Sequence, residues 1–138
     1  MNKILILDDE KFLREGIEKI LRKKGFKVFS GKNGIEGLEI LKENAVDIII
    51  TDLRMPDMDG AEFILKIREN GLRIPVIVLT AFGTIEQAVE TLRGGASDFL
   101  TKPFALDQLL NRIKDLLHPG KTGRAKNGEK GDILGNSP

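Results

Sequence analysis

The chain has 138 residues, 41% of them hydrophobic, which suits one compact domain. Lysine and arginine number 22 against 21 acids, a net charge of +1, so bulk charge points to neither nucleic acid nor a membrane surface. Cysteine is absent and His118 is the single histidine, which argues against disulfides, thiol nucleophiles, His- or Cys-ligated zinc and Ser-His-Asp chemistry. No apolar run approaches the roughly 20 residues of a membrane span. The opening MNKILILDDE lacks the apolar stretch and small-residue cleavage site of a secretory signal, so a cytoplasmic protein without membrane contact is expected.

Apolar runs alternate with helix-period segments along the chain. KILIL (3–7) is a continuous apolar run, as a strand covered on both faces requires. Residues 10–24 form the first predicted helix, with Phe12, Leu13, Ile17, Ile20 and Leu21 on one face and Gly25 as its stop. KVFS (27–30) reads as a second strand, and residues 34–44 as a helix carrying Ile35, Leu38 and Leu41. DIIIT (47–51) is the third strand, and residues 59–70 a helix with Ala61, Ile64, Leu65 and Arg68 at helical spacing. PVIVLT (75–80) is the fourth strand. Thr84 and Gln87 have the form of a capping box, with Ile85, Ala88, Val89 and Leu92 expected to face inward behind it. SDFLT (97–101) is a fifth strand, and residues 106–117 are a helix built on Leu106, Leu109, Leu110, Ile113, Leu116 and Leu117. Five strands alternating with five helices predict a three-layer α/β domain with a parallel sheet.

From Pro119 the composition turns to Gly, Lys and Asn without periodicity, so residues 119–131 are expected to be a flexible linker behind a domain spanning 1–118.

In an open parallel sheet, ligands bind outside the carboxyl ends of the strands where strand order reverses. The residues at those ends are Asp8, Asp9 and Glu10 after strand one, Asp52 after strand three, Thr80 closing strand four, and Lys102 after strand five. Two carboxylates about 4 Å apart repel by roughly 4 kcal/mol at an effective dielectric near 20, so the cluster either raises a pKa or holds a cation. All-oxygen ligation suits Mg²⁺. Thr80 and Lys102 opposite that cation would complete a clamp for a phosphoryl group. No Ser, Cys or His nucleophile belongs to the set, but an aspartate can itself accept the group, and Asp52 is central.

The strings LILDDE, TDLRMPDMDG around Asp52, LTAFG at Thr80 and DFLTKPF around Lys102 together resemble the receiver domain of a two-component response regulator, over about residues 3–117. The resemblance implies a flavodoxin-like (βα)5 fold with strand order 2-1-3-4-5, an order the chemotaxis receiver exemplifies. It implies that Asp52 takes a phosphoryl group from the phosphohistidine of a sensor histidine kinase. Asp9, Asp52 and the backbone carbonyl of Arg54 would bind Mg²⁺, and Asp8 would support the metal through water. Thr80 and Lys102 would contact the phosphoryl oxygens, Lys102-Pro103 would be a cis peptide, and Phe99 would be the aromatic switch that follows Thr80. The repacked face of helix four, strand five and helix five would then serve a homodimer. Such a domain is a phospho-acceptor that assists its own phosphotransfer and autodephosphorylation rather than an enzyme.

LTAFGTIEQAVE is most similar to receivers of nitrogen-regulator-type transcriptional activators, and DILGNSP (132–138) resembles the start of their AAA+ ATPase domain. On that resemblance, DNA and polymerase carrying an alternative sigma factor are reached only through domains outside this chain. Other readings stand beside it. Asp8-Asp9 alone suits an acidic turn, Asp57 and Asp59 suit a solvated turn and an N-cap, and Phe99 suits plain core. Gly60 and Gly83 serve loop geometry. A single-domain or degenerate receiver would act by protein docking alone. An aspartyl-nucleophile phosphatase uses the same residue types, but usually in an Asp-x-Asp pair after its first strand.

Overall fold

Alternating apolar strands and amphipathic helices assemble as a parallel sheet in the computed structural model, which describes residues 2–81 and 84–118. The order is β1 (Lys3–Leu7), α1 (Lys11–Lys23), β2 (Lys27–Gly31), α2 (Gly34–Glu43), β3 (Ile48–Asp52), α3 (Gly60–Glu69), β4 (Val76–Thr80), α4 (Ile85–Arg93), β5 (Asp98–Thr101) and α5 (Leu106–Leu117). The strands lie in the order β2-β1-β3-β4-β5, all parallel, so the fold is flavodoxin-like. The chain divides into two compact units, residues 1–104 with the sheet and α1–α4, and a second from Ala105 whose described part is α5 and His118. The sequence readings at Phe82, Gly83, the 119–131 linker and the 132–138 string lie outside the described residues.

Strand periodicity decides the faces of the sheet. Leu5, Leu7, Ile49, Val76 and Val78 point to one face and cluster with Phe63, Ile64 and Ile67 of α3, with Leu38 and Leu41 of α2 partly covered beside them. Ile4, Ile6, Ile48, Ile50 and Ile77, at the alternate positions, are fully or almost fully buried as well. Both faces being covered is why β1, β3 and β4 read as unbroken apolar runs. Right-handed crossovers place α1 on one face and α2 to α4 on the other, because the chain reverses direction between β2 and β3.

The covered face of α4 differs from the sequence expectation, and in α1 one expected residue falls off the covered face. In α4, Ile85 is 85% exposed, and Val89 and Leu92 are also exposed. The inward stripe is Gln87, Ala88 and Thr91, and the Thr91 Oγ1 donates to the Gln87 carbonyl at 2.7 Å. Apolar spacing identifies a stripe, not whether anything covers it, and here the polar Thr91 meets its own backbone and can be buried. In α1, the covered stripe is Leu13, Ile17, Ile20 and Leu21, and Phe12 lies off it, 89% exposed. In α3, Phe63, Ile64 and Ile67 enter the core while Ala61 and Leu65 face out. Arg68, half-buried, donates from Nε and Nη2 to the Gly95 carbonyl at 3.1 and 2.7 Å. Ile35 of α2 is exposed too.

The helix starts match their sequence signals. Thr84 and Gln87 form the reciprocal capping box of α4, and Asn33 and Asp59 cap α2 and α3 from their side chains. Asp59 is thus an N-cap, as expected, and Asp57 adopts a positive φ of 71 in the turn before it.

Gly60 begins α3 directly behind the end of β3, where an added Cβ would collide with the carbonyl oxygen of Asp52. Gly16, in mid α1, has nothing within 4 Å of such a Cβ. Gly60→Ala is expected to cost about 2–3 kcal/mol. Gly16→Ala is expected to gain about 0.5–1 kcal/mol from helix propensity. Urea midpoints of the two variants check the contrast, and equal shifts would contradict it.

Candidate functional site

The switch point between β1 and β3 brings the strand-end residues together. Asp8 extends β1 by one residue, its amide donating to the Gly31 carbonyl at 3.1 Å, and is only 1% exposed. Asp52 is the last residue of β3, paired with Leu79, rather than the first residue beyond the strand. Asp9 is exposed. Carboxylate oxygens of Asp8, Asp9 and Asp52 lie within 4.8 Å of one another.

Lys102 answers that concentration of charge from the end of β5. Its Nζ donates to Asp8 Oδ2 at 3.0 Å and to Asp52 Oδ2 at 3.3 Å. A third carboxylate, Glu10 Oε1, stands 3.6 Å from the same Nζ. The remaining lone pairs find backbone partners: Asp8 Oδ1 accepts from the Glu10 amide at 2.9 Å, and Asp52 Oδ1 from the Arg54 amide at 3.4 Å. Arg14 Nη1 donates to the Asp8 carbonyl at 2.7 Å.

Thr80 closes β4, fully buried, in register with Thr101, and its carbonyl accepts from the Lys102 amide at 2.8 Å. The Lys102-Pro103 peptide is cis, as the sequence resemblance implied. Phe99, half-buried on β5, packs against the α3-side core cluster. Arg54 is exposed at the mouth of the acidic site, where Asp9, Met55, Pro56 and Asp59 line a shallow depression with it.

Sequence reasoning anticipated that Asp8, Asp9, Asp52 and Lys102 would meet, and they do. It missed Glu10 as a further partner of Lys102 and Arg14 as the donor on the Asp8 carbonyl. Glu10 had been noticed as a strand-end acid; Arg14 was readable only as a helix-surface arginine, since its partner is a backbone atom.

The electrostatics follow from this packing. Burial pushes the Asp52 carboxyl above its ordinary 3.8, and the Asp8 charge adds to the rise. The charge and hydrogen bond of Lys102 and the Arg54 amide pull the other way without prevailing. For Lys102, burial works against the ammonium, but the hydrogen bonds and charges of Asp8 and Asp52 together hold it above its usual 10.5. The three clustered carboxylates exceed the one ammonium by two negative charges, an oxygen-only set that fits a hard divalent cation.

The chain is matched by the response regulator receiver domain family over residues 4–114. The response regulator MprA of Mycobacterium sp. (strain KMS) is 37% identical over 115 residues, 83% of this chain and 50% of that protein. The transcriptional regulatory protein CusR of Escherichia coli (strain K12) is 40% identical over 118 residues, 86% of this chain and 52% of that protein. The chain therefore spans about half the length of the curated relatives it matches. Among solved structures, the receiver domain of the Francisella response regulator 1452 superposes with a TM-score of 0.81 at 32% identity, covering 85% of this chain and 97% of that one. The response regulator TrrA from Thermotoga maritima, solved in complex with Mg(2+)-BeF, gives 0.77 at 30% identity, covering 85% and 100%. NtrX from Brucella abortus, in complex with ADP, gives 0.79 at 28% identity, covering 85% of this chain and 27% of that one.

A raised Asp52 pKa has a definite sign in stability. Below about pH 3.8 both folded and unfolded Asp52 are protonated and contribute nothing. As pH rises from there through the folded value, only the unfolded state gives up its proton freely, so stability falls and stays lower. Lys102 contributes oppositely, a stabilisation present below 10.5 and lost as pH rises through its higher folded value. In chelator at neutral pH, Asp52→Asn is expected to raise the melting temperature by roughly 4–8 °C, about 1 kcal/mol. Lys102→Met is expected to lower it by about 3 kcal/mol or more, since it strands buried carboxylates without a counter-charge. Calorimetric melts of the metal-free variants check both signs.

Proposed function

Because the chain belongs to the response regulator receiver domain family, we propose that it is a phosphorylation-operated signalling switch whose acceptor is Asp52. The observation that carries this reading is the placement of Lys102 Nζ within hydrogen-bond distance of both Asp8 and Asp52, inside an acidic cluster at the carboxyl end of the sheet. The donor partner is the phosphohistidine of a sensor histidine kinase, the partner of receivers in two-component systems. One Asp52 carboxylate oxygen attacks phosphorus, a P–O bond forms, the P–N bond breaks, and the imidazole nitrogen leaves with the electron pair. Lys102 gives up its contact with Asp52 and neutralises a phosphoryl oxygen, while the Thr80 hydroxyl donates to another.

Asp9, Asp52 and the Arg54 carbonyl would hold Mg²⁺, with Asp8 supporting it through water. The bound cation supplies charge neutralisation for the transferring oxygens. TrrA, whose whole length matches 85% of this chain, was solved with Mg(2+)-BeF, which supports the assignment. The protein acts on itself once per cycle, as a phospho-acceptor rather than an enzyme with a turned-over external substrate.

The output is transcriptional and lies in a domain outside this chain. CusR carries the name of a transcriptional regulatory protein, which supports transcription as the output class. The DILGNSP string and the likeness to NtrX support a nitrogen-regulator-type ATPase domain as the particular effector. Thr80 moves toward the phosphoryl group and Phe99 follows it, which alters the surface that includes α4. Exposed Ile85, Val89 and Leu92 on α4 give that surface the apolar character a homodimer contact needs. A cytoplasmic site of action follows from the kinase partnership.

Intact mass after incubation with a small acyl-phosphate donor and Mg²⁺ tests the assignment, since Trp and Tyr are both absent and intrinsic fluorescence cannot report. A single phosphoryl adduct is expected in wild type, and none with chelator or in Asp52→Asn. Labelling that persists in Asp52→Asn would overturn the acceptor, and no labelling at all would leave a docking receiver. Arg54, exposed beside the site, is expected to obstruct attacking water, so the adduct should decay about 2–10 times faster in Arg54→Ala, on the order of 1 kcal/mol of barrier. Equal decay would remove Arg54 from the account.

A further inference from the structure

A buried glutamate that the phosphoryl chemistry does not use lies on α1. Glu18 is 8% exposed, and arginines flank it one helical turn to either side. Arg22 Nη2 meets Glu18 Oε1 at 3.2 Å, and Arg14 Nε faces Glu18 Oε2 at 3.7 Å. The second separation is an ion pair but too long for a hydrogen bond, and among the described residues the buried Arg14 Nε has no hydrogen-bond partner. Both guanidinium groups also reach backbone oxygens. Arg22 Nη2 donates to the Val28 carbonyl of β2 at 3.1 Å, and Arg14 Nη1 donates to the Asp8 carbonyl at 2.7 Å. A charged rail thus runs from near the start of β2, along α1, to the backbone of the acidic cluster.

We propose that Arg14 is a positioning residue for the cation site, acting through the Asp8 carbonyl and held in place by Glu18. The inference rests on the phosphoryl-switch reading above. The Asp8 carbonyl and the Asp9 amide belong to one peptide plane, which is rigid, so fixing that oxygen fixes the Asp9 Cα and leaves only φ and the side-chain torsions to set where the carboxylate goes. Asp8 itself needs no such help, because Lys102 and the Glu10 amide already hold its carboxylate. Asp9 is exposed, and its orientation depends on the peptide before it. Glu18 has a second effect. A bare guanidinium this near a cation site would repel the cation, and the carboxylate between the two arginines offsets that charge. Partners that orient metal ligands without touching the metal commonly carry about 10- to 100-fold in affinity.

Mg²⁺ binding by titration calorimetry, with unfolding midpoints measured in chelator, separates positioning from plain support of α1. Arg14→Met keeps the apolar stem and removes every donor. It is expected to weaken Mg²⁺ binding about 10-fold or more. Glu18→Gln, which keeps size and helix propensity, is expected to weaken it about 3-fold, a value between wild type and Arg14→Met. It also serves if Arg14→Met does not fold. Lowered midpoints with wild-type Mg²⁺ affinity in the folded variants would overturn the positioning role and leave the rail structural. Wild type that neither binds Mg²⁺ nor takes a phosphoryl group would overturn the switch reading itself, and the inference with it. Wild type that does both, beside variants of unchanged affinity, would overturn the inference alone.

Discussion

Three carboxylates, crowded within 4.8 Å at the ends of β1 and β3, repel one another, and a single ammonium restrains them. A pair of like charges about 4 Å apart is worth roughly 4 kcal/mol at an effective dielectric near 20, comparable to a good part of a domain's stability. Lys102 relieves part of that by bonding to Asp8 and Asp52 together, and the amides of Glu10 and Arg54 relieve a little more. The Asp52 pKa still rises, first because the carboxyl is buried and then because of the Asp8 charge, which Lys102 does not fully cancel. A site with this residual strain favours whatever adds positive charge or removes negative charge, so a divalent cation is a natural occupant.

The sheet exists to make that crowding possible. Only a parallel sheet with its order reversed between β1 and β3 sets the ends of two adjacent, fully buried strands side by side with helices leaving in opposite directions. The close approach of Gly60 to the Asp52 carbonyl lets α3 start immediately behind the site, and the Asp59 cap fixes that start. Just past β5, one residue beyond Thr101, Lys102 is tied through its amide to the Thr80 carbonyl, so the ammonium and the hydroxyl are delivered by one backbone contact. The same contact links the site to β4 and, by way of Phe99 on β5, to the α3-side core.

Strands were easy to read because an apolar run such as ILIL (4–7) points to burial on both faces, and strand ends then place Asp8, Asp52, Thr80 and Lys102 along one edge. Helix faces were harder. In α4 the apolar spacing of Ile85, Val89 and Leu92 indicates a stripe, yet that stripe faces solvent while Thr91 is buried, because a hydroxyl can satisfy itself on its own helix carbonyl. Phe12 misled in the same way. Contacts to backbone atoms were invisible: Arg14 on the Asp8 carbonyl and Arg68 on the Gly95 carbonyl have no partner side chain whose spacing could reveal them.

If repulsion among buried carboxylates is the central feature, relieving it chemically or with a cation should be interchangeable. The direct measurement is the thermal midpoint against Mg²⁺ concentration for wild type and for Asp8→Asn/Asp52→Asn. Wild type should start lower and climb with the logarithm of Mg²⁺ once the dissociation constant is passed, as binding linkage requires. The double variant should start higher and stay flat. A wild type that starts no lower than the variant, or parallel climbs in both proteins, would contradict the account.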